Sequence, residues 1–407
     1  MKDKLSHRLA VELELKAPNE EVPVLVEFSG PSESVRAFLQ QSVRQHFRLT
    51  PMVALSLAAG DVRKVAKDPR VVKIWRDRPI HTCLDNSVPL IGAPQAWQAG
   101  FTGKGVKVAI VDTGVDTEHP ALAGRVISVH DATGEGFSDS NGHGTHIAGI
   151  VAGNDSRYRG VAPEATLLAS KVMGAFGSGS TSWAMAGVEW AVEKGAQVIN
   201  LSMGSDGACD GTDPLSRTCD AAVERGVVVC VASGHMGPLG GSVGSPGCAR
   251  QVITVGASTI GDKIADFSSR GPTADGRTKP DILFPGHNII SARARGTRMG
   301  NPVSDLFTQA SGTSMACPHA SGAVALIIQA RPGLSPAQVK ELLMSAAMDL
   351  GYPPNVQGAG RADVYAAIRG ERATRPPQPA PPGVPVGSGG GCLPPVFWGL
   401  AARGIRR

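Results

Sequence analysis

Five short, almost wholly apolar runs recur between residues 88 and 370, and they constrain the fold more than any other feature. The runs are KVAIVD, TLLASKVM, AQVINLSM, GVVVCVAS and QVITVGAS. Strands that are apolar on both faces are typical of a parallel sheet covered by helices on both sides. Segments with helical spacing, such as TSWAMAGVEWAVEKG, lie between them. The pattern predicts an α/β fold with a doubly wound, mainly parallel sheet over 88–370, with its active site at the carboxyl ends of the strands.

Two further regions flank this predicted sheet. Residues 22–81 alternate strands with helical segments, and SESVRAFLQQSVRQHF is predicted to be a helix that follows a serine cap. The order predicts a small ferredoxin-like α/β domain, preceded by an N-terminal extension at 1–21. Residues 371–407 start with a Pro/Gly-rich linker and are predicted to be a disordered tail.

Composition excludes several classes of protein. A net charge of +5 is too small and too dispersed to indicate nucleic-acid binding. No apolar run reaches the roughly 18 residues that a membrane span needs, and the first residues lack the apolar core of a signal peptide.

Seven cysteines in 407 residues do not form a disulfide framework. Cys209 and Cys219 are a candidate pair, and Cys230 is expected to be a buried, inert thiol.

Asp112 ends the apolar run KVAIVD and is followed by Thr-Gly. A carboxylate at the carboxyl end of a parallel strand is well placed for catalysis. The triplet DTG also occurs in aspartic peptidases, but those enzymes need two carboxylates, and the chain has no second DTG or DSG. A turn-capping aspartate is the structural alternative.

His143 begins a predicted helix within NGHGTHIAGIVAG. His143 and His146 have a spacing that a zinc site could use, but no HExxH pattern and no third ligand accompany them. Without other evidence, a structural histidine is the ordinary interpretation of this segment.

Ser314 lies in SGTSMACPHASGAVALIIQARP, which predicts a tight turn that enters a helix and ends before Pro332. A serine at a helix N-terminus is usually a cap, although its hydroxyl also lies in the positive field of the helix. The GxSxG elbow of α/β-hydrolases is absent around this residue.

Three segments in the order Asp, His, Ser carry a family resemblance. DTGVD, NGHGTHIAG and SGTSMACPHASG resemble the signatures of the subtilases, peptidase family S8, over roughly 88–370. The resemblance implies a serine endopeptidase that works through an acyl-enzyme and needs no cofactor for its chemistry. It implies that Ser314 is the nucleophile, His143 the general base and Asp112 the residue that orients the imidazole.

The resemblance also implies a substrate cleft. GAFGSGSTSW resembles the segment that binds the peptide backbone as an added strand, and NLSMGS resembles the opposite wall. With Gly204 and Gly244 keeping a pocket open and Met203 and Met236 making it apolar, broad cleavage after apolar residues is expected. The implied substrate-binding residues are Gly177, Ser178, Gly179, Ser202, Met203, Gly204, Ala232, Ser233, Gly234 and Gly244.

His235 is the main departure from the family pattern. The family has an asparagine in this place, which donates a hydrogen bond to the oxyanion beside the backbone N–H of Ser314. Losing such a donor costs about 10²–10³ in rate, but an imidazole N–H can also donate. An adapted donor in the oxyanion hole and an impaired, subtilase-like binding protein are both open at this stage. An esterase or acyltransferase that uses the same three residues is a further alternative.

Two partners follow from the resemblance, and a third is a candidate from the residues themselves. Polypeptides are the expected substrates, and residues 22–81 resemble the family's inhibitory propeptide, with self-cleavage expected between about Pro79 and Val88. The family's own calcium site is not expected, because Ala121 stands in the place of its acid. Asp206, Asp210 and Asp213 are a different candidate site for calcium, because oxygen ligands in a glycine-rich loop suit it; a solvated acidic loop is the alternative. A propeptide favours a secreted monomer, whereas the missing signal peptide favours the cytoplasm.

Overall fold

The computed structural model describes residues 4–29, 43–47, 49–77, 79–82, 87–205 and 207–373. These residues belong to one compact unit that ends at Ala373. The predicted tail from 374 onward, the first part of the predicted helix at 30–42, Asp206 and the junction 83–86 lie outside the described residues.

The N-terminal region forms a four-stranded antiparallel sheet in the order β2-β3-β1-β4. This is the strand arrangement of the predicted ferredoxin-like sandwich. One of its two described helices, α2, connects β3 to β4. The elements are α1 (His7–Leu15), β1 (Glu21–Phe28), β2 (Val43–His46), β3 (Met52–Ala58), α2 (Ala59–Val65) and β4 (Val71–Arg76).

One prediction about this region is wrong, and one is refined. The helix predicted to reach Phe47 is a strand at β2, because His46 pairs with Val53 of β3 and this pairing outweighs the helical spacing of the segment. The expected extension at 1–21 contains α1, whose Leu9 and Leu13 are buried with the apolar residues of the sheet. Leucines four residues apart lie on one helix face, which explains why α1 packs there.

A seven-stranded, wholly parallel sheet dominates residues 88–370, as predicted, in the order β14-β13-β12-β10-β6-β8-β7. The described residues of this region and of the junction before it form twenty-one α-helices and strands. They are β5 (Pro79–Thr82), α3 (Ala93–Gln98), β6 (Lys107–Asp112), β7 (Val126–Asp131), α4 (His143–Ala152), β8 (Thr166–Lys171), β9 (Ser178–Ser180), α5 (Thr181–Glu193), β10 (Val198–Leu201), β11 (Met203–Gly204), α6 (Pro214–Glu224), β12 (Val228–Ala232), β13 (Ile253–Ser258), β14 (Ile282–Pro285), β15 (Ile289–Ala292), β16 (Asn301–Pro302), β17 (Phe307–Ala310), α7 (Thr313–Ala330), α8 (Pro336–Ser345), α9 (Pro354–Gln357) and α10 (Val364–Arg369).

The five apolar runs form the interior strands β6, β8, β10, β12 and β13. Helices cover both faces: α4 and α7 pack on one, and α5 and α6 pack on the other. Two edge strands, β7 and β14, complete the sheet. β7 alternates between more and less buried residues, because an edge strand is covered less completely than an interior one. No helix in the described residues is long and apolar enough to cross a membrane.

Two small antiparallel sheets accompany the large one, in the orders β11-β5-β9 and β15-β17-β16. In the first, β5 from the junction after the N-terminal sheet lies between two strands of the larger domain. This arrangement places a segment of the chain itself alongside the edge where the parallel strands end.

Candidate active site

Two central strands of the parallel sheet bring the first candidate residues to one edge. Asn200 of β10 pairs with Ile110 of β6, so Asp112 and Ser202, each two residues further on, emerge side by side. Because all seven strands run in the same direction, this edge holds the carboxyl ends of them all.

A buried hydrogen bond joins Asp112 to His143. Nδ1 of His143 lies 2.6 Å from Oδ1 of Asp112, and both side chains have no exposed surface. The same carboxylate oxygen accepts a hydrogen bond from the backbone N–H of Thr113 at 2.8 Å. This contact holds a proton on Nδ1, which leaves Nε2 of the neutral ring without one.

Glycines permit the close approach of the His143 helix to the Asp112 loop. A Cβ atom on Gly144 would lie 2.0 Å from the carbonyl oxygen of Gly114, which no side chain could avoid. Gly142, the residue before α4, has a φ of +104°, a conformation that glycine adopts without strain. The motif therefore needs these glycines for geometry.

Asp139, which is not among the predicted site residues, links these two segments. Its buried carboxylate accepts hydrogen bonds from the hydroxyls of Thr113, at 2.9 Å, and Thr145, at 2.6 Å, and from the backbone N–H of Gly142, at 2.7 Å. Burial raises the pKa of Asp139, and these donors oppose the rise. In the sequence, Asp139 looks like an ordinary loop acid, and only its place before the histidine motif marks it.

Ser314 is the second residue of α7 and contacts the end of β10 through two hydrogen bonds. Its hydroxyl donates to the carbonyl oxygen of Ser202 at 2.9 Å, and the Ser202 hydroxyl donates to the Ser314 carbonyl at 2.7 Å. Asn200 donates to the Ser202 hydroxyl at 2.9 Å. These contacts hold the start of α7 at the same edge as Asp112.

His235 contacts the residue that precedes Ser314. The backbone N–H of Thr313 donates to Nε2 of His235 at 2.7 Å, and the ring lies against Phe267, with centroids 5.1 Å apart. Burial, followed by the nearby charge of His143, lowers the pKa of His235 to about 4. Its Nε2 is thus an acceptor, and the neutral ring carries its only proton on Nδ1.

A small pocket lies beside Ser202 and His235. Its lining includes the predicted Met203, Gly204, Ala232, Ser233, Gly234 and Gly244, with Met236 at its mouth. Gly244 has a different role from the one expected: a Cβ there would lie 2.0 Å from the carbonyl of Ser205 on the facing wall, and one on Gly204 would lie 3.0 Å from the carbonyl of Ser245. These glycines bring the walls together as well as leaving room.

The two strands predicted to bind a peptide backbone already have one between them. Ile80 and His81 of β5 pair with Gly179 and Ser178 of β9, and His81 also pairs with Gly204 of β11. Gly177, in the turn before β9, has a φ of +67°. The predicted cleft therefore accepts an extended segment as the middle strand of an antiparallel sheet.

The acidic loop differs from the expected metal site. Asp213 caps α6, and its carboxylate accepts hydrogen bonds from the hydroxyls of Ser216 and Ser245 at 2.6 and 2.5 Å. Asp210 accepts one from Thr212 at 2.7 Å. Among described residues, the one group with metal-ligand spacing is Cys209, Asp213 and Cys248, and its two sulfurs are joined in a disulfide.

The structure gives the partner of Cys209, the surroundings of Cys230 and the contact that His146 makes. Cys209 pairs with Cys248, so the pairing with Cys219 is wrong; Cys219 is buried on the inner side of α6. Cys230 is a buried thiol as predicted, and burial raises its pKa to about 12. Nε2 of His146 lies 3.1 Å from the carbonyl oxygen of Thr308. Because a carbonyl oxygen can only accept, this ring nitrogen is the donor.

The fold and the site together define a class, that of serine hydrolases built on a parallel α/β sheet. The model of the subtilase family, peptidase S8, matches residues 103–360. The chain therefore belongs to the subtilase family of serine endopeptidases, whose catalysis needs no cofactor.

Curated relatives agree with this assignment. The chain is 40% identical over 334 residues to serine protease AprX of Bacillus subtilis, covering 74% of each chain. It is 37% identical over 337 residues to subtilisin amylosacchariticus of Bacillus subtilis subsp. amylosacchariticus, covering 80% of this chain and 83% of the relative. It is also 37% identical over 329 residues to an alkaline protease of Alkalihalobacillus alcalophilus, covering 79% and 80%.

Proposed function

We propose that the chain hydrolyses peptide bonds through Ser314, His143 and Asp112. Ser314 attacks the carbonyl carbon of the substrate, and His143 takes the hydroxyl proton on Nε2 and returns it to the leaving amine. Asp112 holds the proton on Nδ1 and stabilises the charged ring. The buried 2.6 Å contact between Asp112 and His143 carries this proposal. The Ser314 hydroxyl must turn from the Ser202 carbonyl toward His143 to react.

The oxyanion of the tetrahedral intermediate needs hydrogen-bond donors. We assign one to the backbone N–H of Ser314, at the N-terminus of α7, where the helix field favours negative charge. His235 is the second candidate, through its Nδ1–H, because its Nε2 is occupied by the N–H of Thr313. The ring has a single N–H, whose direction is fixed by the contact of Nε2 with Thr313, whereas an amide carries two N–H groups, so the imidazole is the weaker donor.

The substrate side chain before the scissile bond is proposed to enter the pocket beside Ser202. Met203 and Met236 both line it, the first buried and the second half exposed, so the pocket favours apolar side chains. The substrate backbone would join β9 and β11 as a middle strand, which binds any sequence through main-chain hydrogen bonds. Broad specificity with an apolar preference follows from this combination.

A comparison of the native chain with Ser314→Ala tests the chemistry. Casein digestion and labelling by a fluorophosphonate should both occur in the native chain and disappear in the variant. Ser321→Ala removes a hydroxyl two turns later on the same helix and should remain labelled, which controls for damage to α7. Equal casein digestion by native chain and Ser314→Ala would refute the assignment. Labelling without digestion of casein would instead favour an esterase.

We further propose that the N-terminal region is an intramolecular inhibitor. Three observations support this: β5 occupies the place of the substrate strand, Asp77 accepts the N–H of Ser182 near the start of α5 at 2.9 Å, and Glu189 on α5 accepts the N–H of Leu49 at 2.6 Å. The residues before β5 therefore hold it in the cleft.

Mass spectrometry during purification tests the inhibitor proposal. The native chain should lose its N-terminal region as activity appears, whereas Ser314→Ala should keep its full length. A full-length native chain with full activity would contradict the proposal.

Calcium, oligomeric state and location are separate proposals. A structural calcium ion near Asp210 and Asp213 is the weakest, because both carboxylates already accept hydrogen bonds within the loop. An ion bound to the folded state must raise the melting temperature, so a calcium titration decides it.

A secreted monomer is the proposed form of the enzyme, and size-exclusion chromatography of the culture medium and the cell extract tests both parts.

A further inference from the structure

The Cys209–Cys248 disulfide joins the segments that form the two walls of the substrate pocket. One wall ends at Ser205, four residues before Cys209, and the other at Ser245, three residues before Cys248. The bonded residues are 39 positions apart in the chain, with Cα atoms 5.9 Å apart. A covalent link therefore lies directly behind the pocket.

The two walls also meet directly beside this link. The N–H of Ser205 donates to the carbonyl of Ser245 at 2.8 Å, in an isolated bridge between the two segments. The carbonyl of Ser205 lies so close to Gly244 that a Cβ there would be 2.0 Å away. Because the walls meet so closely, a small separation of the segments would change the width of the pocket.

Hydrogen bonds would keep the loop folded if the disulfide opened. Arg277 donates to the carbonyls of Cys248 and Asp210 at 2.7 and 2.9 Å, and Asp213 holds Ser245 at 2.5 Å. The loss of the disulfide should therefore widen or loosen the pocket without unfolding the domain.

Cys209 is the more exposed residue of this disulfide. Cys209 is partly exposed and lines a cavity of about 340 Å³ with Asp210 and Asp213, whereas Cys248 is fully buried. The remaining described cysteines are buried, and burial raises the pKa of each thiol. These are Cys219, Cys230 and Cys317. They are poor thiolates and should not exchange with the pair.

We propose that the Cys209–Cys248 disulfide is a redox control on substrate binding, which rests on the proposed peptidase function. A dithiol reductant attacks the sulfur of Cys209 and releases Cys248 as a thiolate, which takes up a proton. The second thiol of the reductant then displaces Cys209 as a thiol, and the reductant leaves as its own cyclic disulfide. The two electrons move from the reductant to the pair, and Ser314 and His143 take no part.

Steady-state kinetics of the processed, active enzyme test the proposal. After treatment with a dithiol, KM for a peptide with a large apolar P1 residue should rise about five- to tenfold, with kcat within about twofold. A peptide with glycine at P1 should change little, because it places no side chain in the pocket. Alkylation followed by peptide mapping shows which cysteines were reduced.

Two variants provide the comparison. Cys209→Ser with Cys248→Ser should reproduce the kinetics of the reduced enzyme and no longer respond to reductant. Cys219→Ala, the matched control outside the disulfide, should respond as the native enzyme does. If mapping shows Cys209 and Cys248 alkylated while KM and P1 preference are unchanged, the redox proposal is wrong. An oxidised enzyme without Ser314-dependent activity would instead overturn the peptidase proposal.

Discussion

Replacing His235 by asparagine is expected to make the enzyme faster and less stable. The neutral ring of His235 uses Nε2 to accept the N–H of Thr313 at 2.7 Å, so its single proton is on Nδ1. An asparagine side chain carries two N–H donors and is not held against Thr313, so it can turn one of them toward the oxyanion. The substitution therefore raises the number of N–H donors that this side chain can offer to the oxyanion.

The substitution should change both kcat and the free energy of unfolding, by amounts that follow from the contacts of His235. A well-aligned oxyanion donor is worth about 10²–10³ in kcat, so His235→Asn should raise kcat by at least about tenfold even with imperfect alignment. The shorter side chain withdraws from Thr313 and from the ring of Phe267, 5.1 Å away. A buried N–H that loses its partner costs about 1–3 kcal/mol, and the free energy of unfolding should fall by that amount.

Kinetics on a peptide ester, together with urea unfolding, separate the two effects. His235→Ala is the control, because it removes the ring without adding a donor; kcat should follow the order Asn, His, Ala. Since the pKa of His235 is about 4, the ratio of the Asn and His rates should stay constant from about pH 6 to about pH 9. A kcat for His235→Asn equal to or below the native value would refute the reasoning and show that the imidazole is an adequate donor.

Three further outcomes are expected. Thr82 pairs with Met203, and the residue before Met203 touches the nucleophile. Self-cleavage should therefore fall after the residue that follows Thr82. N-terminal sequencing of the mature enzyme should give Leu84 as its first residue. Asp139→Asn should lower the free energy of unfolding by about 2 kcal/mol, measured with urea, because a buried acceptor of several hydrogen bonds loses its charge. Burial holds several histidine pKa values at about 3 to 4, below the 6.5 of an ordinary histidine. The unfolded chain therefore binds more protons as the pH falls. Stability should be full above about pH 6.5 and decline down to about pH 4, and a urea midpoint that is flat over this range would contradict the assignment. The histidines concerned are His146, His235 and His319.

The sequence predicts the interior of the fold better than its edges. The wholly apolar strands β6, β8, β10, β12 and β13 are found as predicted, because burial on both faces leaves a continuous apolar pattern. β7 and β2 were not predicted as strands, because each lies at the edge of a sheet and its residues are only partly buried. At an edge, pairing with one neighbour decides the structure, and local spacing carries little of that information.

The site residues also divide into those that a sequence motif reveals and those that only the folded chain brings together. Asp112 and His143 could be found from their motifs because close backbone approach requires glycines beside them, as the 2.0 Å clash at Gly144 shows. Asp139 could not, since its importance comes from three donors that only the folded chain brings together. The partner of Cys209 was also beyond the sequence, because nearness in the chain favoured Cys219 whereas the pocket walls bring Cys248 to it.

The position of β5 sets the order of events that the proposed function requires. A strand on the same chain competes with a substrate at an effective concentration in the millimolar range, so the intact chain should be inhibited even if β5 binds weakly. Cleavage removes this advantage, but the N-terminal sheet retains its own contacts, among them the ion pair of Glu27 with Arg217 and the capping of α5 by Asp77. Cleavage alone should therefore leave the N-terminal region bound as a dissociable inhibitor, and full activity should follow only when that region dissociates or is degraded.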